Sequence, residues 1–187
     1  MKLAILPVLT SMLIAAAATG ISQKPAASKA ALKAAMMPCG PPREHVIVLL
    51  DAGVPHSGPT NSDMAAIYFA AMSTGRLWPN PTVRIAMDGR WIGALKQNSY
   101  TELEVTPGQH HLCVRTPGIL QLEPASLYGL DARAGHSYYF VVDDRSSDEY
   151  QPIDTISLNR IDSDEGRLLV AQARRATSSP KPGRHRH

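Results

Sequence analysis

At 187 residues, 44% of them hydrophobic, the chain has room for one ordinary domain with extensions and can bury a core of useful size. Its formal net charge of +3 is uneven: Ala173 to His187 holds five basic residues and no acid, and Lys2, Lys24, Lys29 and Lys33 add four more, while Ala34 to Gln172 has ten basic and sixteen acidic residues, a net −6. The basic excess therefore belongs to two arms rather than to a folded face, and few aromatics accompany it, which argues against nucleic acid as a partner.

In chain order, residues 1–20 read as an export signal. Lys2 gives the positive start, Leu3 to Ala18 is apolar apart from Thr10 and Ser11, and small residues offer cleavage after Ala18 or Gly20. The run is short for a membrane span and is broken by Pro7. Residues 21–62 form an Ala/Lys-rich and then Pro/Gly-rich linker, with an edge strand expected at 45–50. Export changes the meaning of the two cysteines, because an oxidising compartment favours a bridge over a reactive thiol. A Cys39–Cys113 disulfide would close a loop of about 75 residues, worth roughly 4 kcal/mol in the chain-entropy model. Lipid attachment at Cys39 is the alternative, but "KAAMMP" before it is not a hydrophobic run ending in small residues.

Strand signals then recur at short intervals over 63–158. Ala66 to Ala71 ("AIYFAA") reads as a first central strand. Thr82 to Met87 alternates and meets Asp88-Gly89, a dipeptide suited to a type I′ hairpin. That turn predicts one buried face of Val83, Ile85, Met87, Ile92 and Ala94, with Trp91 on the other. Pro107-Gly108 suits the centre of a type II turn. If it joins paired strands, Leu103 faces Leu112 and Val105 faces His110 on the apolar side, leaving Glu102, Glu104, His111 and Cys113 on the opposite side. Ser126 to Ala132 and Ser137 to Val142 follow, then an acidic loop Asp143–Glu149 and a strand at Ile153 to Leu158. Residues 159–176 change period to a helix that opens acidic and closes basic, with Leu169, Ala173 and Ala176 inward and Leu168 beside them. Residues 177–187 read as a basic solvated tail.

The sharpest chemical grouping is Glu104, His111 and Cys113, with Glu102 beside them, since zinc accepts carboxylate, imidazole and thiolate. The competing reading is a solvated charged face on which Cys113 is consumed by Cys39. "DSDEG" (Asp162–Gly166) resembles the start of a calcium loop, yet Gly166 stands where that loop needs an oxygen, so a helix start fits better. There is no Gly-x-Ser-x-Gly turn and no phosphate-cradling glycine loop, and His56 next to Ser57 lacks the geometry of a base and nucleophile. No cofactor is expected. Trp91, Tyr100 and Tyr128 are the candidates for a ligand-facing surface.

From Ala66 onward the order of "AAIYFA", "VRIAMDGRWIGAL", "YTELEVTPGQHHL", "AGHSYYFVV" and "IDSDEGRLLVAQA" resembles a bacterial envelope family described as domain of unknown function 2846. In that family the first strand runs on from its aromatics to an arginine; here Ala70 and Ala71 follow Tyr68-Phe69. The resemblance implies an exported domain, often a lipoprotein, and supplies no activity. Together the observations predict a mainly β protein: a small antiparallel β-sandwich, immunoglobulin-like or PEGA-like, of about six or seven strands with a short C-terminal α-helix. They predict a non-catalytic binding or structural module of the cell envelope, periplasmic or secreted. Its partner would be an envelope protein, glycan or lipid surface, with weak membrane or wall contact through the basic tail.

Overall fold

The fold is described from a computed structural model, which covers residues 37–40, 46–52, 58–72, 82–116, 125–145 and 155–180. The expected export signal, most of the expected linker, His56, Asp148, Glu149 and the "GRHRH" end lie outside the described residues. Two sheets pack face to face. The six-stranded sheet has the order β1-β10-β5-β2-β8-β9 and the four-stranded sheet the order β4-β3-β6-β7, where β1 is Val46–Asp51, β2 Ala65–Ala71, β3 Val83–Met87, β4 Arg90–Leu95, β5 Ser99–Val105, β6 Gly108–Arg115, β7 Ala125–Ala132, β8 Ser137–Arg145, β9 Thr155–Ile161 and β10 Arg174–Pro180. Among the described residues one α-helix, α1 (Ser163–Gln172), lies between β9 and β10, and a short 3-10 turn covers Met37–Cys39. The two-layer sandwich is therefore as the strand spacing predicts, with more strands than expected.

Strand β2 explains the layering. Every residue of Ala65–Ala71 is buried. Its alternation sends Ile67 and Phe69 into the core between the sheets, and Ala66, Tyr68 and Ala70 to the opposite face. A strand buried on both faces must be central, and β2 sits between β5 and β8. It pairs with β8 in parallel, setting Tyr68 beside Tyr139 and Phe69 beside Phe140. Tyr68 and Tyr139 stack with ring centroids 4.8 Å apart, and Tyr128 meets Phe140 edge-on at 5.0 Å. A second parallel pair joins β10 to β5, so this sheet is mixed rather than purely antiparallel.

The outer face of β2 and β8 is covered by α1. Asp162 caps the helix, its carboxylate accepting from the Asp164 and Glu165 amides at 2.8 and 2.9 Å. The buried stripe is Gly166 and Val170, with Leu169 and Ala173 packed beside them, whereas Leu168 is 56% exposed. Gly166 decides how closely the helix approaches: a Cβ there would stand 2.2 Å from Cγ of Tyr139. The glycine that spoils a calcium loop is the one that lets the helix rest on a tyrosine ring.

Three expectations need correction. The helix ends at Gln172, and residues 159–161 belong to β9. Ala176 lies in the core as part of β10, and residues 177–180 form a paired strand rather than a solvated tail. Periodicity over "ARRATSSP" cannot distinguish a helix end from an alternating strand. In the Asp-Gly hairpin, Asp88 and Gly89 both take positive φ (51° and 79°), as a type I′ turn requires. Met87 faces Arg90, but a bulge follows, so Ile85 faces Gly93 and Val83 faces Leu95. Leu95 therefore enters the core and Ala94 turns away with Arg84, while Ile92 still packs inward from the bulge.

Candidate functional site

Pro107-Gly108 turns a different corner from a hairpin. Strand β5 pairs with β2 and β10 in one sheet, while β6 pairs with β3 and β7 in the other. Leu103, Val105, Leu112 and Val114 do share the apolar interior, but across the sandwich rather than along one ladder. Glu102 and Glu104 consequently face outward on the six-stranded sheet, and His111 and Cys113 outward on the four-stranded one. The sandwich thickness, about 10 Å, separates the two halves of the zinc set. Among the described residues no group of three His, Cys, Asp or Glu side chains could hold a metal ion.

Cys113 is bonded to Cys39 with a Cα separation of 5.0 Å, inside the usual range for a disulfide. Both cysteines are fully buried and cluster with Ala86, under Trp91 and Ala125. Trp91, placed by the hairpin on the outer face, covers the bridge, and the Arg84 guanidinium lies 5.1 Å from its ring centre. Gly40, at φ 71°, lets the incoming segment lie against the hairpin: a Cβ there would meet the Gly89 carbonyl at 3.3 Å and the Trp91 ring at 3.4 Å. Trp91 is thus a structural cover. Tyr100 is fully buried beneath the helix side of the sheet, and Tyr128 packs against Phe140 in the core. Of the three candidates, Tyr100 is closed off from solvent, while Trp91 and Tyr128 stay partly exposed.

His110 has a role the sequence did not suggest. Its Nδ1 lies 2.8 Å from Asp88 Oδ2 and its Nε2 2.8 Å from the Thr106 carbonyl, while Asp88 Oδ1 accepts the His111 amide at 2.8 Å. Two acceptors on one ring favour the imidazolium, which donates from both nitrogens. Burial draws the His110 pKa down, but the bonds to Asp88 and Thr106 outweigh it and the net shift is upward. Asp88 is affected in the opposite sense: burial raises it, and the two histidines lower it further, to a net depression.

A concavity lies on the outer face of the six-stranded sheet, beside the part of it that α1 leaves uncovered. It encloses about 250 Å³ among Tyr68, Glu102, Glu104, Thr60 and Arg175. Strand β10, parallel to β5, brings Arg175 to Glu102 at 2.9 Å. The Thr60 amide and hydroxyl both donate to Glu104 Oε1, tying the loop before β2 to the sheet. Tyr68 is 1% exposed, and burial, with the Tyr139, Glu102 and other nearby groups, pushes its phenol pKa far above the ordinary value. It is a neutral hydroxyl at any physiological pH. The local formal charge is one guanidinium against two carboxylates. Sequence reasoning found Glu102 and Glu104 but missed Thr60, Tyr68 and Arg175, because Arg175 reads as the end of a helix until β10 is seen.

These elements define a disulfide-pinned, two-sheet β-sandwich with one helix laid on its larger sheet. No family model, curated protein or solved structure matches the chain.

Proposed function

We propose that this chain is an exported, non-catalytic binding or structural module of the bacterial cell envelope, of the kind its resemblance to domain of unknown function 2846 implies. The observation that carries the reading is the Cys39–Cys113 bridge, buried at the centre of one sheet's outer face and joining the N-terminal segment to the sandwich. Such bridges persist in oxidising compartments, and the apolar run after Lys2 supplies a route there. Among the described residues no helix is long and apolar enough to cross a membrane. In the cleft beside Tyr68, Glu102, Glu104 and Arg175 are engaged with groups of the fold itself. Metal binding through Glu104, His111 and Cys113 has lost its geometry.

The test is the intact mass of the protein recovered from the envelope of its native host, before and after reduction. A mass consistent with cleavage after Ala18 or Gly20 that gains two hydrogens on reduction is expected. A cytosolic chain retaining residues 1–20 with free thiols would overturn the reading. A tether role for the basic end is tested by removing residues 181–187 only, which should release the protein from membrane or wall fractions if those charges hold it there.

A further inference from the structure

We propose that the β1 edge of the six-stranded sheet is a homodimer interface, in which β1 of one chain pairs antiparallel with β1 of a second copy. Strand β1 bonds to β10 on one side and has no described strand on the other. Such an edge is a template for another strand unless it is blunted by charge, proline, a bulge or glycine. The other three edges among the described residues carry such devices: β9 exposes Asn159 and Arg160, β4 carries the bulge and the exposed Arg90, and β7 exposes Asp131, with Leu127 as its one exposed large apolar side chain. Val46–Asp51 ("VIVLLD") is apolar for five consecutive residues.

Its side chains favour a copy of itself. Ile47 and Leu49 point outward and are 41% and 67% exposed. Val48 and Leu50 point inward and are only half-buried against the core, which ends incompletely at this strand. Residues directly opposite in an antiparallel pair share a face. A two-fold axis through Val48 therefore sets Ile47 against Leu49 of the second copy, and Val46 against Leu50. Outward residues meet outward ones and inward residues meet inward ones, so the same register closes the outer apolar patch and extends the core. The nearest β1 charges, the two Asp51 side chains, would stand six residues apart along the ladder, about 20 Å at ~3.3 Å per residue. That is roughly twice the screening length at 0.1 M salt, so they do not oppose pairing. The closed symmetry stops growth at two copies. The inference is independent of the export reading and is tested on purified protein.

The experiment is the solution mass of the oxidised chain over a concentration series, by light scattering or sedimentation. A dimer is expected. Leu49→Lys and Ile47→Lys, both at exposed positions, should each weaken it by about 100-fold or more, since each change is repeated across the two-fold. Leu168→Lys, exposed on α1, should leave it unchanged. Register is tested by cross-linking: Ile47→Cys mixed with Leu49→Cys should form a covalent dimer, with Cβ atoms about 4.5–5.5 Å apart. Each variant alone places its cysteines diagonally, at roughly 7–8 Å, beyond disulfide reach. A chain that is monomeric at every concentration overturns the proposal. So does a dimer indifferent to both lysine variants, or a monomer whose edge takes up an unrelated extended peptide.

Discussion

His110 shows how one side chain ties two turns together. It joins Asp88, in the β3–β4 turn, to the Thr106 carbonyl at the β5–β6 corner. Its folded pKa is raised, so its contribution to stability is fully present below the unfolded value of about 6.5 and is lost as pH rises through the folded value. Asp88, depressed when folded, contributes above its unfolded value and loses that contribution as pH falls through the folded one. Thermal melts between pH 5 and 9 should therefore show a fall in Tm as pH rises past the unfolded value of about 6.5 that His110→Ala removes. A fall of the same size in the variant would sink the assignment. Gly166 gives a second test at this scale. Alanine is the better helix former by about 1 kcal/mol, yet its Cβ would collide with Tyr139. Overpacking should win, with Gly166→Ala losing about 1–3 kcal/mol in urea unfolding. Leu168→Ala, on the exposed face, should stay within about 0.5 kcal/mol.

At the scale of elements, the disulfide and the sheet corners divide what was legible from what was not. The alternation of Val83, Ile85, Leu103, Val105, Leu112 and Val114 gave the buried faces correctly, because a strand's side-chain period of two does not depend on its neighbours. The partners were not legible at Pro107-Gly108, since a proline-glycine turn can close a hairpin or carry the chain to the opposite sheet. The metal set failed at that step, and again because Cys113 is consumed by its bond to Cys39. The bridge was legible from the cysteine count taken with the expectation of export, and its effect follows from loop length. With Cys39 and Cys113 separated by 74 positions in the chain, replacing both by alanine should cost about 4 kcal/mol in denaturant unfolding. A loss below about 1 kcal/mol would mean that the unfolded chain is already restrained, or that Trp91 and Ala86 hold the segment without the bond.

At the scale of the whole molecule, β10 closes the larger sheet. It pairs antiparallel with β1 along Val46 to Asp51 and parallel with β5 at Ser99 and Tyr100, and it supplies Arg175 to the cleft and Ala176 to the core. Removing residues 181–187 should leave the circular dichroism spectrum and Tm unchanged. Truncation from Ala173 should abolish the cooperative melt, because it detaches β1 and opens the core at the same time. Equal stability of the two truncations would show that β10 is dispensable. The sequence by itself determined the alternating strands, the Asp-Gly turn, the acidic start of the helix and the cysteine pair, each set by neighbours within a few residues or by simple counting. Only the tertiary structure decided which sheet each strand joins, that the "ARRATSSP" segment is a strand between β1 and β5, and that Glu104 and His111 face away from each other. Those outcomes depend on contacts between residues far apart in the chain, where burial of the common core, and not local propensity, chooses the partner.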